Sequence, residues 1–115
     1  MTKVLLADDD FTMVSLLKTL LELERYQVMT LLDKPGDILA NIREAKPDVL
    51  LLDLFLGDRN GMDLVRQIRR DSGLKNIRII MVSGLDKTEE CLAAGADKFL
   101  LKPYMPNELF DLLRT

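Results

Sequence analysis

Five short apolar runs, each followed by residues of helical period, restrict what this chain can fold into more than any other feature. The runs are Val4 to Ala7, Tyr26 to Met29, Val49 to Leu52, Ile77 to Val82 and Phe99 to Leu101. Val4-Leu5-Leu6-Ala7 and Val49-Leu50-Leu51-Leu52 hold no polar residue, so they do not alternate as a half-solvated strand does. Strands of that kind need helices on both faces, which is the arrangement of a parallel sheet. The run from Tyr26 includes Gln27 and reads as an edge strand.

Between the runs, apolar residues recur at helical spacing: Met13, Leu16, Leu17, Leu20 and Leu21, then Ile38, Ile42 and Ala45, then Leu64, Val65 and Ile68, and finally Leu109, Leu112 and Leu113. Pro35 and Pro106 suit first helical turns, Lys46-Pro47 stops the second helix, and Gly95 can supply a left-handed cap. The fourth helix must fit between Asp86 and Ala94, which makes it short. With 115 residues, residues 1–115 form one domain. Five βα units of this size predict an open, doubly wound α/β fold with a five-stranded parallel sheet in the order 2-1-3-4-5. In that order a crevice opens at the carboxyl ends of the first and third strands, and ligands or chemistry belong there.

Several classes of function are excluded by residue content. The chain has no histidine, so it carries no Ser-His-Asp or Cys-His nucleophile, no histidine-ligated zinc and no phosphohistidine of its own. Its one cysteine, Cys91, cannot form an internal disulfide. A net charge of -3 offers no global positive field for nucleic acid, so no direct contact with nucleic acid is expected. No apolar run approaches bilayer length, and no cationic leader precedes an apolar segment, so a cytoplasmic protein without membrane contact is expected. Neither a GxGxxG nor a P-loop follows any strand, which argues against flavin or dinucleotide binding.

Polar residues cluster where the apolar runs end. The first run ends in Asp8-Asp9-Asp10, the third in Asp53, the fourth in Ser83 and the fifth in Lys102-Pro103. Parallel topology places all of these on one rim. Carboxylates gathered from two neighbouring strands repel one another unless a cation sits among them, and oxygen-only ligands favour a hard ion such as Mg²⁺. If a phosphoryl group were transferred to Asp53, the Lys102 ammonium and the Ser83 hydroxyl could neutralise its oxygens. Each residue taken alone has a plainer use as a helix cap, a turn hydroxyl or a surface charge, and Asp10 is read as such a cap. Four strand ends carrying compatible groups on one rim favour the chemical reading. Met13, Met62 and Met81 read as core filler, and Arg66, Arg69 and Arg70 as a solvated face of the third helix.

With these residues in place, the chain resembles over essentially its whole length the receiver domain of two-component response regulators, a CheY-like family with a flavodoxin-like fold. The resemblance is carried by Asp8 and Asp9, Asp53, Ser83 and Lys102-Pro103, with supporting text in Asp53-Leu54-Phe55-Leu56 to Gly61-Met62 and Ala94-Gly95-Ala96-Asp97. It implies that Asp53 accepts phosphate from a sensor histidine kinase or a histidine phosphotransfer protein. It implies Mg²⁺ held by Asp9, Asp53 and the Phe55 carbonyl, with Asp8 acting through water. It further implies a Ser83–Phe99 switch pair, an output face on the fourth helix, fifth strand and fifth helix, a cis Lys102-Pro103 peptide, and a monomer or weak dimer that signals rather than turns over substrate.

Three departures from the family pattern stand out. Gly57 replaces the usual proline, which predicts a more mobile loop. Ser83 and Lys102 are about one helical turn closer in sequence than is common, which puts the usual output face in question. Phe55 and Leu85 are apolar where an attacking water could be oriented, so a long-lived acyl phosphate is expected. Two other classes of function remain open. Asp8-Asp9-Asp10-Phe11-Thr12 also fits the DxDxT motif of haloacid dehalogenase phosphatases, with Asp8 as nucleophile, although the chain leaves no room for the further acidic pair and cap of those enzymes. A non-phosphorylated docking module is the other.

Overall fold

The computed structural model describes residues 1–31 and 37–115. In chain order the elements are β1 (Lys3–Ala7), α1 (Phe11–Leu23), β2 (Gln27–Thr30), α2 (Ile38–Ala45), β3 (Val49–Asp53), β4 (Phe55–Leu56) and β5 (Arg59–Asn60). They continue with α3 (Gly61–Arg70), β6 (Arg78–Ser83), α4 (Thr88–Ala94), β7 (Lys98–Leu101) and α5 (Pro106–Arg114). The main sheet is parallel and runs β2-β1-β3-β6-β7, which is the expected order 2-1-3-4-5 once the small β4–β5 ribbon is set aside.

Each central strand divides its side chains between two cores. Leu5, Ala7, Leu50, Leu52, Ile79 and Met81 face a cluster closed by Ile42 and Ala45 of α2, Leu64, Val65 and Ile68 of α3, and Cys91 and Ala94 of α4. Val4, Leu6, Val49, Leu51, Ile80 and Val82 face the opposite cluster, closed by Val14, Leu17 and Leu21 of α1 and by Leu109 and Leu113 of α5. The alternation is the period of two of any strand, and both faces are dry because helices cover both. The edge position expected for the second strand is observed. Met81 is fully buried, and Met13 and Met62 pack against the two cores.

Two strand limits differ from the sequence expectation for reasons of hydrogen bonding. The Tyr26 N–H donates to the Leu21 carbonyl, so Tyr26 finishes α1 instead of opening β2. The Ile77 N–H donates to the Leu74 carbonyl, so Ile77 belongs to the preceding turn. Asp10 caps α1, its carboxylate accepting from the Met13 N–H at 3.2 Å. Pro106 opens α5, Lys46 ends α2 with φ 50°, and Gly95 ends α4 with φ 122°. The expectation for Pro35 lies outside the described residues. The fourth helix is short, with seven residues. Among the described residues no helix is long and apolar enough to cross a membrane.

The solvated arginine face is corrected at one residue. The Arg69 side chain is only 22% exposed and ties three segments together. Its Nε donates to the Gly95 carbonyl, its Nη1 to the carbonyls of Lys75 and Ile77, and its Nη2 to Asp97. Periodicity alone could not distinguish it from Arg66, which is 46% exposed and pairs with Asp63 one turn away. Arg69→Met should cost about 2–3 kcal/mol, because the part-buried carbonyls of Gly95 and Ile77 lose their charged donor. Arg66→Met should change stability by less than about 0.5 kcal/mol, as an exposed ion pair does. Urea denaturation of the two variants checks this, and equal effects would contradict it.

Candidate phosphoacceptor site

The chain delivers four polar side chains to one rim because parallel strands end there together. Asp8 follows β1, Asp53 ends β3, Ser83 ends β6 and Lys102 follows β7. Asp53 pairs in register with Val82, and Ser83 pairs with Leu101. The Lys102 N–H donates to the Ser83 carbonyl at 2.8 Å, which carries the ladder one residue past β7 and sets the direction from which the lysine enters. The peptide from Lys102 to Pro103 is cis, as the resemblance implies.

The Lys102 ammonium lies between two acids, with Nζ at 3.1 Å from Asp8 Oδ2 and 3.0 Å from Asp53 Oδ2. Those carboxylates are 10% and 13% exposed, so the pairs are partly desolvated. Asp8, Asp9 and Asp53 each offer a carboxylate oxygen, and these oxygens all lie within 4.8 Å of one another. Each acid also accepts a backbone N–H: Asp8 from Asp10 at 2.9 Å, Asp9 from Gly57 at 2.9 Å and Asp53 from Phe55 at 3.2 Å. Three hard, oriented oxygen donors packed this tightly fit a divalent cation such as Mg²⁺.

The electrostatics follow from burial and from the lysine. Burial raises the Asp53 carboxyl above the ordinary aspartate range, with the Asp8 charge adding to it and Lys102 opposing it. Burial alone would lower the Lys102 ammonium, but hydrogen bonds to Asp53 and Asp8 outweigh it and the lysine is held above its ordinary value. Tyr104 is pushed up to about 12 by burial, so its phenol stays protonated beside the acids.

Ser83 is buried at the rim, and its hydroxyl oxygen accepts from the Leu85 N–H at 3.1 Å. Phe99 pairs in register with Met81 and packs on the same sheet face as Met81. Ser83 lies two residues beyond Met81, so by alternation it shares that face. Phe55 and Leu85 are 52% and 56% exposed beside the acids and the hydroxyl respectively. The loosening of the loop expected from Gly57 is opposed by a bond. With φ 62° and an N–H given to Asp9, this position needs both the left-handed conformation and the donor that proline lacks. Sequence reading missed the Gly57 and Phe55 amides as parts of the site, since backbone donors leave no residue-type signal.

The sequence profile of the response regulator receiver domain matches residues 4–114. The chain belongs to this family. The receiver is 34% identical over 116 positions to the DNA-binding response regulator MtrA of Mycobacterium tuberculosis, covering 98% of this chain and 49% of that protein. To the transcriptional regulatory protein CpxR of Escherichia coli it is 36% identical over 116 positions, covering 100% and 49%. The receiver thus spans about half the length of these relatives. Among solved structures it resembles the chemotaxis response regulator CheY4 of Vibrio cholerae, with a TM-score of 0.86, 29% identity, and 99% and 97% of the two chains covered. It also resembles the receiver domain of the sensor histidine kinase PA1611 of Pseudomonas aeruginosa, with a TM-score of 0.79, 26% identity, and 98% and 94% covered. That structure has a magnesium ion coordinated in the active site cleft.

The family match favours the receiver over the phosphatase reading, and the second acid of the phosphatase motif, Asp10, accepts from the Met13 N–H at the start of α1.

Replacing the shared cation tests the electrostatics. A lysine raised on folding contributes stability that is fully present below its unfolded pKa and lost as pH rises through its folded value, so it acts throughout the neutral range in the wild type. In Lys102→Met the Asp53 carboxyl, already raised by burial, loses the cation that opposes the rise and goes up further, so the folded state binds more protons than the unfolded state. Stability should then fall as pH rises from about 5 to 8, with a loss of about 2 kcal/mol at pH 7, between the values for exposed and buried pairs. Added Mg²⁺ should raise the melting temperature of this variant more than that of the wild type. Thermal melts across pH, with and without Mg²⁺, read both effects.

Proposed function

We propose that residues 1–115 act as one receiver whose Asp53 takes a phosphoryl group from a phosphohistidine on a sensor histidine kinase or a histidine phosphotransfer protein. The observation that carries this is the Lys102 ammonium held at 3.0 Å from an Asp53 oxygen at the carboxyl edge of the sheet. A carboxylate oxygen of Asp53 attacks phosphorus, the P–N bond breaks, an acyl phosphate forms, and the departing imidazole takes up a proton. Lys102 exchanges part of its contact with Asp53 for the transferred oxygens, and Ser83 donates its hydroxyl to another. Mg²⁺, bound by Asp9, Asp53 and the Phe55 carbonyl with Asp8 acting through water, would neutralise charge on the transferred group. The donor histidine lies outside residues 1–115, which contain none. Phe11, Phe55, Leu85 and Met105, all strongly exposed, follow β1, β3, β6 and β7 and give the rim an apolar surface for such a partner.

In this reading Ser83 moves toward the phosphoryl group and Phe99 turns into the space it leaves, which alters the face formed by α4, β7 and α5. The receiver is a signalling domain that catalyses only its own phosphotransfer and slow dephosphorylation, acts in the cytoplasm and associates weakly at most. With a net charge of -3 it brings no positive field to DNA. DNA binding in the name of a relative twice as long belongs to that whole protein.

Intact-mass measurement after incubation with acetyl phosphate and Mg²⁺ tests the reading. One phosphoryl adduct is expected in the wild type and none in Asp53→Asn, while an adduct that persists in Asp53→Asn and vanishes in Asp8→Asn would favour the phosphatase chemistry. The apolar Phe55 and Leu85 predict a long-lived adduct. Phe55→Asn combined with Leu85→Glu should speed loss of the phosphoryl group on the order of tenfold, by giving water a base and a hydrogen-bonding partner. Label release from the phosphorylated protein measures this, and an unchanged rate would reject the shielding role.

A further inference from the structure

We propose that Gly61 is a positioning residue for the phosphoacceptor, an inference that rests on the role given to Asp53. The segment between β3 and α3 is a closed loop. At its base the Gly61 N–H donates to the Leu54 carbonyl, and the Leu54 N–H donates to the Val82 carbonyl at 2.9 Å. Within it, Phe55 pairs with Asn60 and Leu56 with Arg59 in the antiparallel β4–β5 ribbon. Two amides of this loop, those of Phe55 and Gly57, hold Asp53 and Asp9. The placing of two of the three acids therefore depends on where the loop is fastened.

Gly61 makes that fastening possible. A Cβ there would lie 2.7 Å from the Asp53 carbonyl oxygen and 3.0 Å from the Leu54 carbonyl oxygen, and 2.8 Å from Met81 Cε. The methionine tip is flexible and can give way. The two carbonyls are backbone, and one of them belongs to the phosphoacceptor itself. Any side chain at Gly61 would push α3 off the end of β3 or push the Asp53 peptide, and either movement carries the Phe55 and Gly57 donors with it. Gly84, also at the rim after β6, has nothing within 4 Å of its would-be Cβ. The demand for glycine at Gly61 is thus one of close approach, and it is absent at Gly84.

The test compares wild type, Gly61→Ala, Gly84→Ala and the double variant Gly61→Ala/Met81→Ala. Mg²⁺ affinity is read by calorimetry, the phosphorylation rate constant and half-saturation by acetyl phosphate are read by intact mass, and folding is read by circular dichroism. Gly61→Ala should bind Mg²⁺ more weakly and lose about tenfold or more in the phosphorylation rate constant at saturating acetyl phosphate, as sub-ångström misplacement of a reacting group does. Gly84→Ala should match wild type. The double variant should retain the loss, because the carbonyl clash remains; failure of Gly61→Ala to fold while Gly84→Ala folds would show a role in the fold itself and overturn the positioning role. Wild-type Mg²⁺ affinity and rate constant in Gly61→Ala, or recovery of both in the double variant, would overturn the inference. Failure of the wild type itself to take up phosphate on Asp53 would instead overturn the function it rests on.

Discussion

One ammonium group shared by two partly buried carboxylates is the interaction on which the site depends. Asp8 and Asp53 come from adjacent strands and would repel each other if both were ionised without a cation between them. Lys102, arriving from the far edge strand, lies within hydrogen-bond distance of both. The pocket can thus hold acids in ionised form. The lysine is directed at one carboxylate oxygen of the residue proposed to accept phosphate. Interior packing sets this geometry: β3 is flanked by β1 and β6, and its first four residues are buried.

Around the lysine, the backbone does as much as the side chains. Each of the three acids accepts one N–H, from Asp10, Gly57 or Phe55. Orientation is therefore established before any ion or phosphoryl group arrives, and preorganised dipoles of this kind cost no rearrangement when charge develops. Phe55 serves twice in this scheme. Its amide holds Asp53, and its ring is exposed beside that residue, the place from which we propose it shields the acyl phosphate.

The two cores give the sheet its rigidity, but they are unequal in their link to the site. The face covered by α2, α3 and α4 contains Met81 and receives Phe99, and Gly61 begins α3 against Asp53 on that side. The face covered by α1 and α5 receives Tyr104, buried enough to remain a neutral phenol beside the acids. Arg69 fastens the end of α3 to the α4–β7 turn through Gly95 and Asp97. That clasp anchors the C-terminal end of α4, while at its other end Lys87 makes no side-chain cap. The proposed switch at Ser83 adjoins that end, where the Asp86 carboxylate accepts from the Thr88 N–H and hydroxyl.

The number and order of strands in the main sheet and the residues of the acidic rim were legible in the sequence, because each rests on local or periodic rules, whereas the small β4–β5 ribbon was not foreseen. Val49 to Leu52 reads as a doubly covered strand from composition alone, and a doubly wound sheet has one rim where Asp8, Asp53, Ser83 and Lys102 can meet. Helix ends such as Asp10, Lys46 and Gly95 were legible because caps are set by neighbouring residues. Only tertiary structure decided that Arg69 is a clasp and Arg66 a surface charge, since carbonyls from two other segments, Gly95 and the turn of Lys75 and Ile77, choose between two arginines on one helix. It also decided that Gly57 donates to Asp9 and that Gly61 must lack a side chain. Both rest on where backbone atoms lie, the Gly57 N–H against the Asp9 carboxylate and the Gly61 Cα beside the Asp53 and Leu54 carbonyls, which residue type does not encode.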